Sequence, residues 1–325
     1  MTMTALQPEV HHAVKDGLQL EVTDVTRQTE SIVSITFADP SGAPLPSYVP
    51  GSHLVVQCGT GANAYSLTGS GTAPSEYTIS VLQVADGAGG SLAMHRLAAG
   101  DLVYVSRPRS AFAPAATARH FLLVAAGIGI TPVLSHARAC AEWGIAADLI
   151  YVHRPGAGAH VTEAKELLGS AVTECSDRVS FQKTLAEKLT TQPLGTHLYV
   201  CGPVAFMDAV LDQAREHGWP SARLHSEAFG AAELDAGEPF TVNLARSGVK
   251  LNVPAGVSLL ETLEQAGKAI PNMCRKGICG ECSLSVLRGK PQHRDLYLSD
   301  QEKAENTTMM CCVSRSLDEE LELDL

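Results

Sequence analysis

The 325-residue chain has no excess of positive charge: 24 Lys and Arg against 35 Asp and Glu leave a net charge of −11. A surface of that sign has no attraction for a phosphate backbone, so nucleic acid is not an expected partner; it suits the steering of a basic protein instead. A long apolar run is also missing. The most hydrophobic stretch, Phe121 to Val133, is short and is broken by Gly127, Gly129, Thr131 and Pro132, so no membrane-spanning helix is expected. Residues Met1 to Val14 carry neither a basic n-region nor an apolar h-region, the two marks of a secretory signal. A cytoplasmic location follows as the expectation, and with it free thiols rather than a disulfide frame. There is no internal repeat. What remains is an ordinary globular composition, 45% hydrophobic and 18% charged, long enough for two or three domains with cores of their own.

Cysteine is what the chain does have, and its placement is uneven. Of the nine cysteines, Cys274, Cys279, Cys282, Cys311 and Cys312 crowd the C-terminal region. Four residues separate the first two, two separate Cys279 from Cys282, and 29 intervene before Cys312. That is the plant-type spacing of a [2Fe–2S] centre. Two irons need four thiolates: three come from one tight loop and the fourth returns from elsewhere. Gly277 and Gly280 allow the loop positive φ and inward-facing amides. A structural zinc site prefers two paired knuckles, which are absent. Either Cys311 or Cys312 satisfies the spacing.

Upstream, residues 1–16 read as a polar tail. Leu18–Thr23 and Ser31–Phe37 alternate with period two, further strands are expected at His53–Gln57, Tyr77–Leu82 and Leu102–Val105, and Gly and Pro punctuate them, which predicts a small antiparallel barrel over 17–116. Two stretches in it could carry chemistry: Ala64-Tyr65-Ser66-Leu67, and Gly89-Gly90-Ser91 opening a short helix expected over Ser91–Leu97. Either alone is equally an ordinary strand or turn. From 117 to 230 strands alternate with helices, the signature of a parallel α/β sheet. Its strand-to-helix turns, Gly127-Ile-Gly129-Ile-Thr131-Pro132 and Cys201-Gly202-Pro203, fall where such sheets bind ligands. A polar linker, 231–238, leads to a third domain, 239–325. There Phe240–Leu244 and Lys250–Val253 read as a hairpin, Ser258 with Glu261 as a capping box, and the acidic–apolar tail from Leu317 as a final strand.

With these residues placed, the chain resembles the phthalate dioxygenase reductase family from about residue 18 onward. Tyr65-Ser66-Leu67 matches the flavin motif, Gly89–His95 the FMN phosphate loop, and Pro108–Phe112 the strand that closes the barrel. Gly127–Pro132 and Cys201–Pro203 match the nucleotide loops, Glu227-Ala-Phe229 the segment beside the flavin, and Cys312-Val313-Ser314-Arg315 the last cysteine motif. The resemblance implies an FMN barrel, an NAD domain and a C-terminal β-grasp ferredoxin. It selects Cys312 over Cys311, so that Cys274, Cys279, Cys282 and Cys312 hold the cluster. It implies NADH as donor, Ser66, Glu227 and Phe229 at the reacting face, with Ser66 near flavin N5, Tyr65 packed on the flavin ring, and a Rieske-type oxygenase as partner. The same module could serve a P450 or a diiron hydroxylase, and a cluster that only senses redox state is the reading from another class. One position departs from the family: Asn63 stands where Arg is usual, which replaces a charged phosphate contact by a neutral one.

Overall fold

The computed structural model describes residues 17–58, 61–85, 89–110, 112–229, 236–272, 275, 277, 280–295 and 297–325. Strands β1 (Leu18–Arg27), β2 (Ile32–Ala38), β3 (Ser52–Cys58), β4 (Gly61–Ser66), β5 (Glu76–Leu82), β6 (Leu102–Val105) and β7 (Arg109–Ser110), with the short helix α1 (Gly90–Met94), build the first unit. The strands pair antiparallel in the order β4-β3-β6-β1-β2-β5, with β7 on β3, and a bridge from Leu67 to Ile79 brings the end of β4 back to β5. The sheet is therefore a nearly closed barrel. Alternation sends Leu20, Val22, Ile35, Phe37, Leu54, Val56, Tyr77 and Ile79 inward, which is what the period-two pattern demands. The helix expected over Ser91–Leu97 is shorter than that reading: it spans Gly90–Met94, and the chain leaves it by turns in which Arg96 N–H donates to Ala93 O and Leu97 N–H to Met94 O.

The second unit alternates β8 (His120–Ala126), α2 (Ile130–Trp143), β9 (Ala146–Val152), α3 (Val161–Leu168), β10 (Val172–Cys175), α4 (Arg178–Thr190), β11 (Thr196–Cys201), α5 (Val204–Glu216) and β12 (Leu224–Glu227). All pairs in the order β10-β9-β8-β11-β12 are parallel. Apolar side chains on both faces of β8 and β11 bury against helices, in two separate layers. This explains why Phe121–Ala126 is a continuous apolar run rather than an alternating one. Phe112 of the first unit belongs to one of these layers, edge-on to His136 and Tyr199. The junction is polar as well: Ser80 Oγ lies 2.8 Å from His160 Nε2, Arg138 Nε donates to Thr68 O at 3.1 Å, and His136 Nε2 to Phe112 O at 2.9 Å.

The third unit contains β13 (Phe240–Leu244), β14 (Val249–Val253), α6 (Leu259–Gln265), β15 (Ser283–Arg288), β16 (Pro291–Gln292), α7 (Asp300–Glu305), β17 (Thr308–Met310), β18 (Arg315–Ser316) and β19 (Glu320–Leu323). Its mixed sheet runs β14-β13-β19-β15-β17, with the C-terminal strand parallel to β13 and antiparallel to β15. Helix α6 buries Leu259, Leu260 and Leu263 on that sheet, a β-grasp arrangement, and the Ser258–Glu261 capping box is present. The tail strand is central, with Leu321 and Leu323 fully buried. The last residues of the stretch read as linker are bound to this unit: Gly256 N–H donates to Ala236 O at 2.7 Å and Arg315 Nη2 to Glu238 O at 3.0 Å. Gly237, at φ +62°, lies so close to the Arg315 side chain that a Cβ there would come within 2.4 Å of it.

Candidate functional site

The hairpin β3–β4 sets one wall of the site. Its register places Ser66 opposite His53, Tyr65 opposite Leu54 and Asn63 opposite Val56. Ser66 is buried, yet its Oγ has no hydrogen-bond partner. Tyr65 is half-buried and Leu67 fully buried, in the bridge to Ile79. Against the hairpin lies the start of α1, where Gly89 takes φ +83°. Asn63 leans over Gly90 so closely that a Cβ on Gly90 would stand 2.2 Å from Asn63 Nδ2 and 3.0 Å from Cys58 Sγ. The position that departs from the family thus touches the glycine loop expected to hold phosphate. The Ser91 hydroxyl is engaged elsewhere: it accepts from Val84 N–H at 3.0 Å and donates to Val84 O at 3.3 Å. It closes its own loop, and only the backbone amides of this turn are left for an anion.

The second wall is the carboxyl end of the parallel sheet. Cys201 and Glu227 are register partners on β11 and β12. Gly129 abuts Cys201: a Cβ there would fall 2.3 Å from Cys201 O and 2.7 Å from Gly202 N. No larger residue lets the two nucleotide turns meet. The close approach aims the N-termini of α2 and α5 at one place, where aligned amides favour an anionic pyrophosphate. Thr131 donates its hydroxyl to Ile128 O at 3.1 Å and, with Pro132, is buried in the first turn of α2. Gly127 takes φ +55° and Pro203 caps α5.

Glu227 joins the two walls. Its Oε2 is buried with no hydrogen-bond partner. Burial pushes its carboxyl up to about 8, an effect partly opposed by the neighbouring Ser66 hydroxyl. Near neutral pH it is a protonated carboxyl. Burial, then the adjoining Glu227, also drives the Cys201 thiol far above its usual range. Phe229, two residues on, keeps 38% of its surface exposed. His53 was not singled out in the sequence, because a lone histidine in a strand carries no signal. It is buried with both ring nitrogens unpartnered, and burial, then Arg109, lowers its pKa to about 4.

The thiol site lies in the third unit. Cys274 and Cys279 fall outside the described residues. Cys282 and Cys312 are buried with their Sγ atoms 3.0 Å apart. Cys311 also approaches: its N–H donates to Cys282 O at 3.1 Å, and its side chain is fully buried in the core. Contacts from Cys311 and then Cys312 hold the Cys282 thiol well below the ordinary cysteine range, while Cys311 is displaced upward. Gly277 and Gly280 take φ +68° and +80°, as the loop reading requires. A Cβ on Gly277 would meet Val313 at 2.5 Å, and one on Gly280 would enter the Tyr297 ring. Asp295, buried beneath, accepts from Leu298 N–H at 2.8 Å and from Ser314 Oγ at 3.2 Å.

These residues suit the groups expected of them. Ser66 and Glu227 supply buried polar atoms without partners, which a bound flavin and nicotinamide would satisfy. Soft thiolates in a glycine-shaped loop suit iron. A barrel, a parallel sheet with two glycine turns and a thiol-bearing β-grasp define a flavin- and iron–sulfur-dependent reductase. Comparison with known proteins agrees. Residues 103–224 match the profile described as dimethylamine monooxygenase subunit DmmA-like, N-terminal domain, and residues 242–316 match the 2Fe-2S iron-sulfur cluster binding domain. The beta subunit of a heme-dependent oxidative N-demethylase from Ectopseudomonas mendocina is 39% identical, over 95% of this chain and 99% of its own. The phthalate dioxygenase reductase of Burkholderia cepacia is 38% identical, over 96% of this chain and 98% of its own. A solved phthalate dioxygenase reductase superposes with a TM-score of 0.70 at 36% identity, covering 95% of this chain and 98% of the other. An intact type IV self-sufficient cytochrome P450 monooxygenase gives a TM-score of 0.82 at 33% identity; 95% of this chain is covered, against 41% of that longer protein.

The chain belongs to the phthalate dioxygenase reductase family. It is an oxidoreductase, the reductase component of an oxygenase system, which uses NADH, FMN and a [2Fe–2S] cluster. Among the described residues no helix is long and apolar enough to cross a membrane.

Proposed function

We propose that the oxygenase this chain serves is of the Rieske non-haem iron type, and that the residues gathered above divide the work as follows. The units run over 17–116 for flavin, 117–230 for NADH and 239–325 for the cluster, the last with Ala236–Glu238 bound to it. Backbone amides of Gly89, Gly90 and Ser91, with Asn63, hold the FMN phosphate, and Tyr65 and Leu67 support the ring. The turns Gly127–Pro132 and Cys201–Pro203 hold the pyrophosphate of NADH. Cys274, Cys279, Cys282 and Cys312 ligate the iron, and Cys311 is a core residue.

When bound, FMN takes up two electrons at once and releases them singly, and the cluster passes them on one at a time. The protein's part is to orient and to keep the site dry. Ser66 offers a hydrogen bond where Glu227 presents a neutral carboxyl, so no fixed negative charge opposes the electron-rich face. Phe229 places an apolar ring at the solvent side and excludes water. One observation carries these roles: Ser66 from the barrel and Glu227 from the parallel sheet are neighbours, each with a buried polar atom that the protein leaves unpartnered.

The Rieske partner rests on the family resemblance. A haem acceptor is the second reading, favoured by the names of the N-demethylase subunit and of the P450 whose reductase portion superposes. Mixing the NADH-reduced protein with a Rieske oxygenase component and, separately, with a haem monooxygenase in a stopped-flow instrument separates them. Faster reduction of the Rieske centre is expected. A preference for the haem protein reverses the assignment.

A further inference from the structure

A polar contact joins the first unit to the third. Arg109 Nη2 donates to Glu281 Oε1 at 3.1 Å across 172 residues of sequence. Neither member is at a neutral place. Arg109 lies on β7, where it is the register partner of His53, and His53 is the register partner of Ser66. Glu281 immediately precedes Cys282, whose sulfur meets Cys312. A row of side chains therefore leads from the flavin-facing hydroxyl, over two strand pairings, through the ion pair, to a thiolate of the cluster loop. The pair is half-shielded, with side-chain exposures of 35% and 17%. His53 beside it is held neutral above about pH 4 and adds no repulsion against Arg109.

We infer that Arg109 and Glu281 form a docking pair that seats the cluster loop on the flavin barrel, and that they are positioning residues for electron transfer between the two. This rests on the electron path proposed above and adds to it what holds the ends together. Transfer between two centres falls steeply with their separation, and small misplacements are costly in any reaction that depends on geometry. An exposed or half-exposed pair contributes modestly and is screened by salt. The pair is therefore suited to a contact that must also open so that the cluster can meet its acceptor.

The test uses the full chain with its cofactors and three variants: Arg109→Gln, Glu281→Gln, and the exchange Arg109→Glu with Glu281→Arg. Flavin content and the reduced-cluster spin signal establish that each is loaded; Arg109→Gln, which changes the barrel strand and not the cysteine loop, stands if the loop variant fails to assemble. After mixing with NADH, flavin bleaching should proceed at the wild-type rate. Cluster reduction should slow roughly fivefold in each single variant, the size expected for a half-exposed pair, and recover in the exchange. Salt should slow the wild type and leave the single variants unchanged. Small-angle X-ray scattering gives a readout independent of turnover: the single variants should have a larger radius of gyration at low salt, and the exchange should restore it. Unchanged cluster reduction and dimensions in Arg109→Gln, or an exchange no better than the single variants, overturn the inference. Failure of NADH to bleach the wild-type flavin would instead strike the electron path itself.

Discussion

Glu227 is the buried carboxyl of the candidate site, and its burial has a signature in stability. Its folded pKa, about 8, lies above its ordinary value of 4.5. Between those limits the folded protein holds a proton that the unfolded chain has released, so stability falls as pH rises from about 4.5 to about 8 and levels off beyond. Glu227→Gln removes that slope. Urea unfolding of flavin-free protein at pH 6 and pH 8.5 should show a larger loss of stability for the wild type than for the variant; equal losses would mean that Glu227 ionises normally. Gly90 gives a second expectation. With Asn63 Nδ2 2.2 Å from where its Cβ would be, Gly90→Ala must displace the amide from the phosphate turn, and the FMN dissociation constant should rise by about tenfold, read by fluorescence titration. The cysteines give a third. Cys311→Ser should keep the reduced-cluster spin signal, and Cys312→Ser should lose it; the reverse would exchange the two assignments.

At the scale of elements, α6 is the strut of the thiol site. Its N-terminal turn is closed by Ser258 and Glu261, and Leu260 N–H donates to Cys311 O at 2.9 Å. Ser258→Ala should cost about 1 kcal/mol and lower the first thermal transition of the third unit, followed by circular dichroism, without changing the barrel. A capping box is legible in sequence because all its partners lie within one turn. The same holds for the strands whose apolar residues alternate and for the glycine turns after β8 and β11. Helix α4 was not legible: only Phe181, Leu185 and Leu189 make its buried stripe, Val179 lies exposed outside it, and its clearest signal is Asp177, whose carboxylate accepts from Val179 and Ser180 N–H at 2.9 Å. The edge strands β10 and β12 are short and half-exposed, so they lack both the alternation and the continuous apolar run that mark a strand. Of the site, the motifs could be read in order, and the resemblance set Ser66 and Glu227 at one face; His53 and the contact of Arg109 with Glu281 were not read. Those contacts depend on how elements far apart in sequence face one another, and nothing local in the chain encodes that.

At the scale of the molecule, the first two units share a core layer through Phe112 and several buried polar contacts, whereas the third has a core of its own. A truncated protein ending at Phe229 should therefore fold, bind FMN and pass electrons from NADH to ferricyanide at near the full-length rate, yet reduce no oxygenase. Oxygenase reduction by the truncated form would show that the cluster is not the exit. The cut belongs before Ala236, because Ala236–Glu238 are tied to the third unit by Gly256 and Arg315. That anchoring shortens the leash. Only the backbone between Phe229 and Ala236 separates the two bodies, and so short a chain reaches at most about 25 Å. A partner so tethered is present at an effective concentration on the order of millimolar, however dilute the protein. Two half-exposed side chains too weak to hold free proteins together are then enough to seat one unit on the other, and also weak enough to let it go.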